Sequence, residues 1–146
     1  MQIHDAAFSH TSYGFMDDSG KIIRETFHVS KVPVTFRMAL MRTEISCLTA
    51  MFDVEKVGKL YMPDIRRKQD YALWLNILRK GFKAIPLDLE LAWYRQRKGS
   101  ATNNKITLIH KHYIFLRREI KLKRIFALKY TGLWIWNGLM KYYLFV

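Results

Sequence analysis

The segment Met62-Pro-Asp-Ile-Arg-Arg-Lys-Gln-Asp-Tyr-Ala-Leu-Trp-Leu-Asn-Ile-Leu-Arg-Lys-Gly81 runs from a basic loop into an amphipathic helix. Tyr71, Trp74, Leu75 and Leu78 fall at i, i+3, i+4 and i+7, which predicts one apolar face on a helix over 70–80. Gly81 follows as the expected terminator, and Arg79 and Lys80 complement the negative end of the helix dipole. Asp70 stands at the other end, directly after Arg66, Arg67 and Lys68. An acidic residue there caps or charges the first turn. The same cations and helix terminus favour the anion that a general base must be before it accepts a proton. Both roles are open to Asp70, and neither excludes the other.

Upstream, Phe8 to Met16 and Lys21 to Val29 read as strands joined by the turn residues Asp17-Asp18-Ser19-Gly20, a β-hairpin. Pro33 ends the second strand, and Thr35 to Met41 reads as a short helix. Ile45 to Phe52 is a continuous apolar and β-branched run, which predicts a buried strand. Val54 to Gly58 reads as a turn or short helix. Downstream, Phe82 to Pro86 and Leu89 to Arg95 read as two short strands, and Lys98 to Asn104 as a polar loop. From Lys105 the pattern is helical, with Ile106, Ile109, Tyr113, Leu116 and Ile120 along one side.

The 146 residues fit one ordinary domain or part of a larger one. Half of them are hydrophobic and 14% are aromatic, which excludes a disordered chain. The net charge of +13 is unevenly spread. Residues 1–60 balance seven Lys/Arg against seven Asp/Glu, residues 61–100 carry nine against four, and residues 101–146 nine against one. Such a gradient predicts an anionic partner near the C-terminal half: nucleic acid, a phosphate-bearing substrate or an anionic membrane.

Cys47 is the only cysteine, so neither an intrachain disulfide nor a Cys-based metal centre is available. The five histidines are scattered. His110 and His112 face different ways on a helix, so no joint metal site is expected. Met1 to Asp5 lacks the basic and apolar regions of a signal peptide, and a cytoplasmic location is expected. Ile125 to Val146 is rich in Trp, Tyr and Leu but interrupted by Lys129, Asn137 and Lys141. Behind a basic helix it suits the cytoplasmic surface of a membrane. Packing against another chain and membrane spanning are the alternatives.

Gln69-Asp70-Tyr71-Ala72-Leu73-Trp74-Leu75 resembles the Glu-Asp-Tyr-x-Leu-Trp-Leu motif of family 2 glycosyltransferases, which have the GT-A fold and mostly transfer sugars with inversion. The resemblance makes Asp70 the base that deprotonates the acceptor hydroxyl. Gln69 replaces the usual Glu on the substrate side, and Trp74 packs against acceptor or core. Leu91 to Thr102 resembles the family's Tyr-Arg-x-His-x-x-Ser-x-Ser segment. Arg97 occupies the His position and Ser100 that of the first serine, with Thr102 in place of the second. Arg97 and Lys98 would then neutralise the leaving diphosphate. An arginine pairs with phosphate oxygens but cannot ligate a cation. Phe8 to Asp18 and Ser46 to Phe52 resemble the middle of family members that build bacterial cell-surface polysaccharide. The likeness covers roughly residues 5–105.

Family members also carry a nucleotide-binding half that ends in Asp-x-Asp, the ligand of a divalent cation, Mg or Mn. No Asp-x-Asp exists in this chain, and Asp17-Asp18 has the wrong spacing. The resemblance therefore implies an α/β, partial GT-A-like fold: a mixed sheet with hairpin and helix over 1–104, then amphipathic helices over 105–146. It implies the acceptor-side half of an inverting transferase that takes a nucleotide-sugar donor and a glycan or lipid-linked acceptor. By itself such a half is expected to be inactive. The other reading is a non-enzymatic basic module for nucleic acid or anionic membrane. No RRM, KH, HTH or OB signature favours nucleic acid.

Overall fold

The structure, a computed structural model, describes residues 5–97 and 105–144, with side chains over 5–97 and 106–140. Strand β1 (Phe8–Met16) is the centre of a four-stranded mixed sheet. One edge of β1 is shared by two antiparallel neighbours. β2 (Ile22–Phe27) pairs with its C-terminal half and β3 (Met51–Phe52) with Phe8 and Ser9. The other edge is covered along its whole length by β4 (Ala84–Arg95), which runs parallel to it. The hairpin turn forms where its residues predict. Asp17 Oδ1 accepts from the N–H groups of Ser19 and Lys21, and Gly20 takes φ +87°.

β4 is one strand where the sequence suggests two. Its extra length is absorbed by bulges: Thr11 pairs with Leu87 but Ser12 with Glu90. Ser12 Oγ donates to Asp88 Oδ1 at 2.6 Å and pins the irregular stretch. Pro86 is tolerated because only one edge of β4 is hydrogen-bonded there. Further along, the Trp93 ring lies over Gly14. A Cβ at Gly14 would stand 2.6 Å from that ring, so no larger residue fits beneath it.

The predicted strand over Ile45 to Phe52 is mostly a turn, and only Met51–Phe52 pairs. Ser46 is the reason. Its Oγ accepts the Leu48 N–H and its carbonyl accepts those of Thr49 and Ala50, which competes with extension. Ile45 is buried, whereas Cys47 and Leu48 are exposed.

Helix α1 (Phe36–Met41) starts at Thr35, whose side chain accepts the Met38 N–H. α2 (Val54–Val57) is capped in the same way by Asp53. α3 (Gln69–Arg79) follows, then α4 (Lys105–Arg118) and α5 (Arg124–Leu144). The helices expected over 105–146 are thus two, α4 and α5. Lys121 takes φ +57°, and the Leu122 N–H bonds back to Leu116 O, a left-handed cap that ends α4. Arg79 of α3 donates to Ile120 O and ties that cap to the core.

α3 is the centre of the core. Tyr71 through Leu75, Ile77 and Leu78 are all buried, against Phe8, Val34, Leu40, Phe115 and Leu116. The core thus takes more of α3 than the one face predicted, because strands lie on one side of it and α1 and α4 on others. On α4, His112, Phe115 and Leu116 are inside, while Ile106, expected on the apolar side, is 79% exposed. Among the described residues no helix is long and apolar enough to cross a membrane.

Candidate active site

Asp70 is the second residue of α3 and half-buried. Its Oδ1 accepts the N–H of Tyr71 at 2.8 Å, one of the donors that a helix start leaves unpaired. Its Oδ2 has no hydrogen-bond partner among the described residues, so one carboxylate oxygen is held and the other is open. The residue that caps the helix is not Asp70 but Lys68, which has φ +63° and makes no side-chain cap bond. Gln69 is the first helical residue and is also half-buried.

The Lys68 side chain is drawn inward. Its Nζ donates to His112 Nδ1 at 2.6 Å, within 5.3–5.7 Å of the ring centres of Phe115, Trp134 and Tyr71. His112 stacks on Trp134 with centroids 4.3 Å apart, and Tyr71 stacks on Phe115 at 5.3 Å. Burial lowers the Lys68 ammonium to about 8, against the opposing charge of Asp70. Burial, reinforced by the Lys68 charge, lowers His112 to about 3. His112 is therefore neutral and accepts through Nδ1, while its Nε2 is buried without a partner. Tyr71 completes the anchorage by donating its hydroxyl to Ala39 O at 2.7 Å, and burial raises its phenol well above the usual range.

A pH dependence follows from this arrangement. The unfolded chain binds a proton at His112 near 6.5, whereas the folded chain resists it down to about 3. The His112 contribution is complete above 6.5 and is lost as pH falls toward 3. His112→Gln keeps an acceptor for Lys68 but does not titrate. Its urea midpoint is expected to fall less steeply than the parent's between those limits. Equal slopes in both proteins would remove His112 as a source of acid sensitivity.

Outside the aromatic cage a cleft of about 450 Å³ opens between the 66–68 loop and α4, lined by Arg66, Arg67, Lys68, Leu108, Lys111 and Phe115. Leu108, Lys111 and Phe115 are spaced i, i+3 and i+7 and share a face of α4.

The other expected site residues lie apart from this region. Trp74, a substrate-binding candidate that the sequence leaves open to acceptor or core, is 4% exposed and packs against Phe8 and Phe52 at 5.2 and 6.3 Å. It belongs to the core because it points from α3 onto the start of β1. Arg97 is exposed, with its Nε 3.7 Å from Asp18 Oδ1, and Arg95 donates to Asp18 O. Both brace the hairpin turn at the far end of β1. Asp70 interacts with Tyr71 by a hydrogen bond and with Lys68 and Cys47 through its charge, and no hydrogen bond or ion pair among the described residues links it to Arg97. Lys98, Ser100 and Thr102 lie outside the described residues.

The divalent cation implied by the resemblance finds no fitting donor set. Among the described residues no three of His, Cys, Asp or Glu stand together. The Asp17 carboxylate is already taken up by its own turn.

A hairpin-bearing mixed sheet, a half-exposed aspartate at a helix start and a basic cleft beside it suit transfer chemistry on an anionic substrate. The chain is a homologue of bacterial polysaccharide glycosyltransferases. It is 39% identical over 121 residues to a Bacillus subtilis (strain 168) protein described as a teichuronic acid biosynthesis glycosyltransferase, TuaG, a match over 83% of this chain and 47% of the relative. It is 34% identical over 148 residues to WfaP of Escherichia coli, described as a UDP-Glc:alpha-D-GlcNAc-diphosphoundecaprenol beta-1,3-glucosyltransferase, over 97% of this chain and 56% of the relative. The chain thus spans about half the length of the curated relatives it matches. No family model matches it, and no solved structure does.

The Lys68–His112 pair was not legible in the sequence, where His112 reads as one scattered histidine. The i, i+3, i+7 spacing of Leu108, Lys111 and Phe115 was the available signal for the cleft wall. Nothing in the sequence placed the 66–68 loop across from it.

Proposed function

We propose that this chain supplies the acceptor side of an inverting glycosyltransferase of the GT-A type, with Asp70 as its base. The observation that carries the reading is the half-exposed Asp70 carboxylate, one oxygen fixed by the Tyr71 N–H, in a chain homologous to bacterial polysaccharide glycosyltransferases. Asp70 takes the proton of the acceptor hydroxyl. The hydroxyl oxygen bonds to the anomeric carbon of the donor sugar, and the bond from that carbon to the diphosphate breaks. The nucleoside diphosphate leaves with the electron pair, and the configuration inverts. Gln69 lies beside the base, and Arg97, Lys98 and Ser100 are proposed for the leaving diphosphate. No step is assigned to a metal, since no three His, Cys, Asp or Glu stand together among the described residues.

By analogy with the relatives, the donor is a nucleotide sugar and the acceptor a glycan or lipid-linked sugar. The donor-binding elements belong to a further half of the enzyme. The outer edge of β4, with Leu87, Leu89 and Leu91 exposed, is suited to packing against it. The test joins this chain to the nucleotide-binding half of TuaG and measures sugar transfer from a UDP-sugar to a lipid-linked acceptor. Transfer with inversion is expected. A folded fusion that binds donor but makes no product would overturn the reading.

A membrane-surface location is favoured by α5, where Ile125, Phe126, Leu128, Trp136 and Leu139 are exposed beside a strongly basic segment. Phe126→Ala with Trp136→Ala is expected to weaken flotation with phosphatidylglycerol vesicles about tenfold. Unchanged flotation would remove α5 as the contact.

A further inference from the structure

The cleft between the 66–68 loop and α4 is a separate feature from the carboxylate chemistry. Arg66, Arg67, Lys68 and Lys111 gather positive charge on its rim, while Leu108 and Phe115 form an apolar wall. No described carboxylate pairs with Arg66, Arg67 or Lys111, whereas Arg42 and Lys56 elsewhere are held in ion pairs. Unpaired cations converging on a concave site are an anion-binding arrangement, and guanidinium groups match phosphate oxygens in pairs. The volume of about 450 Å³ is within the range of small-ligand sites and leaves room for more than a single phosphate. The apolar wall has no use for a free nucleotide diphosphate, but it suits the hydrocarbon next to a lipid-borne one.

Position decides between the two diphosphates of the reaction. Lys68, which lines the cleft, stands two residues before Asp70, and the proposed base acts on the acceptor. Arg97, assigned to the donor, lies toward the hairpin turn instead. We infer that this cleft holds the phosphate or diphosphate of a lipid-linked acceptor, with Leu108 and Phe115 against the start of its hydrocarbon chain, and so presents the acceptor sugar to Asp70. The inference rests on the transferase reading above. Lys68 is suited to this role. Its ammonium is part-buried and lowered to about 8, so a bound anion would help it keep its proton.

The test is a binding measurement on the 146-residue chain. Phosphatidylcholine vesicles doped with a polyprenyl diphosphate are compared with vesicles carrying phosphatidylglycerol at the same surface charge, and with free UDP. Tighter binding to the polyprenyl diphosphate vesicles, by about tenfold or more, is expected. The triple variant Arg66→Ala, Arg67→Ala, Lys111→Ala should lose that preference. Lys21→Ala, Lys31→Ala, Lys83→Ala removes the same charge from exposed positions elsewhere and should keep it. All six positions are exposed, and near-ultraviolet circular dichroism would verify that each variant is folded.

Equal binding to both vesicle types, or a preference that survives the cleft variant, would overturn the inference. UDP binding lost in the cleft variant, without any preference for the polyprenyl diphosphate, would move the cleft to the donor and overturn it as well. None of these results requires turnover. A failure of Asp70 as base is therefore read separately, from transfer by the fusion enzyme.

Discussion

Asp70→Asn, in the fusion of this chain with a nucleotide-binding half, is expected to lower sugar transfer about 10²–10⁴-fold, the usual worth of a general base. Asparagine keeps the size of the side chain and an oxygen for the Tyr71 N–H, so the start of α3 is preserved. What it cannot do is accept the acceptor's proton. The loss is therefore expected in kcat, with donor affinity unchanged, because no donor contact involves Asp70 in the proposed arrangement. Full turnover in a variant that binds donor normally would sink Asp70 as the base. A loss of donor binding with kcat retained would instead make it a binding residue.

Trp74→Ala is expected to destabilise the fold by about 3–5 kcal/mol, as for other large aromatic residues removed from a core. Domains of this kind are stable by only about 5–15 kcal/mol, so the variant should be largely unfolded or close to it. The indole is 4% exposed, sits against Phe8 and Phe52, and connects α3 to β1 and β3. Its Nε1 is buried without a hydrogen-bond partner, an arrangement that itself opposes folding. Trp74→Phe retains most of the packing and removes that orphan donor, so it should be far milder than the alanine change. Urea unfolding of both variants checks this. A Trp74→Ala protein with an unchanged midpoint but a raised KM for acceptor would return Trp74 to the substrate side.

The two variants separate roles that look alike in one motif. Asp70 and Trp74 stand four residues apart, about one helical turn, yet one meets solvent and the other the centre of the core. Periodicity identified the helix and its apolar face, because burial on one side leaves a 3.6-residue trace in the sequence. It could not say that Trp74 would be sealed by Phe8 and Phe52, which are distant in the chain. The Ile45 to Phe52 run failed for a local reason. Hydrogen bonds accepted by Ser46 made a turn where hydrophobicity alone suggested a strand. The two segments read after Gly81 failed in the opposite direction, since bulges against β1 joined them across an irregularity that resembled a break.

By itself the sequence determined the hairpin, the short capped helices α1 and α2, the helix that carries Asp70 and the basic character of the C-terminal half. Each depends on neighbours along the chain: turn residues, capping side chains, apolar spacing and charge. Only the tertiary structure decided that Lys68 turns inward to His112, that Lys111 faces Arg66 and Arg67 across a cleft, and that Arg97 lies with the hairpin turn and not with Asp70. The first two depend on how α4 and α5 fold back over α1 and α3, and the third on the pairing of β4 along β1, so each joins residues some forty or more positions apart. Local pattern carries no record of such contacts, because they are chosen by which surfaces bury each other once the elements exist.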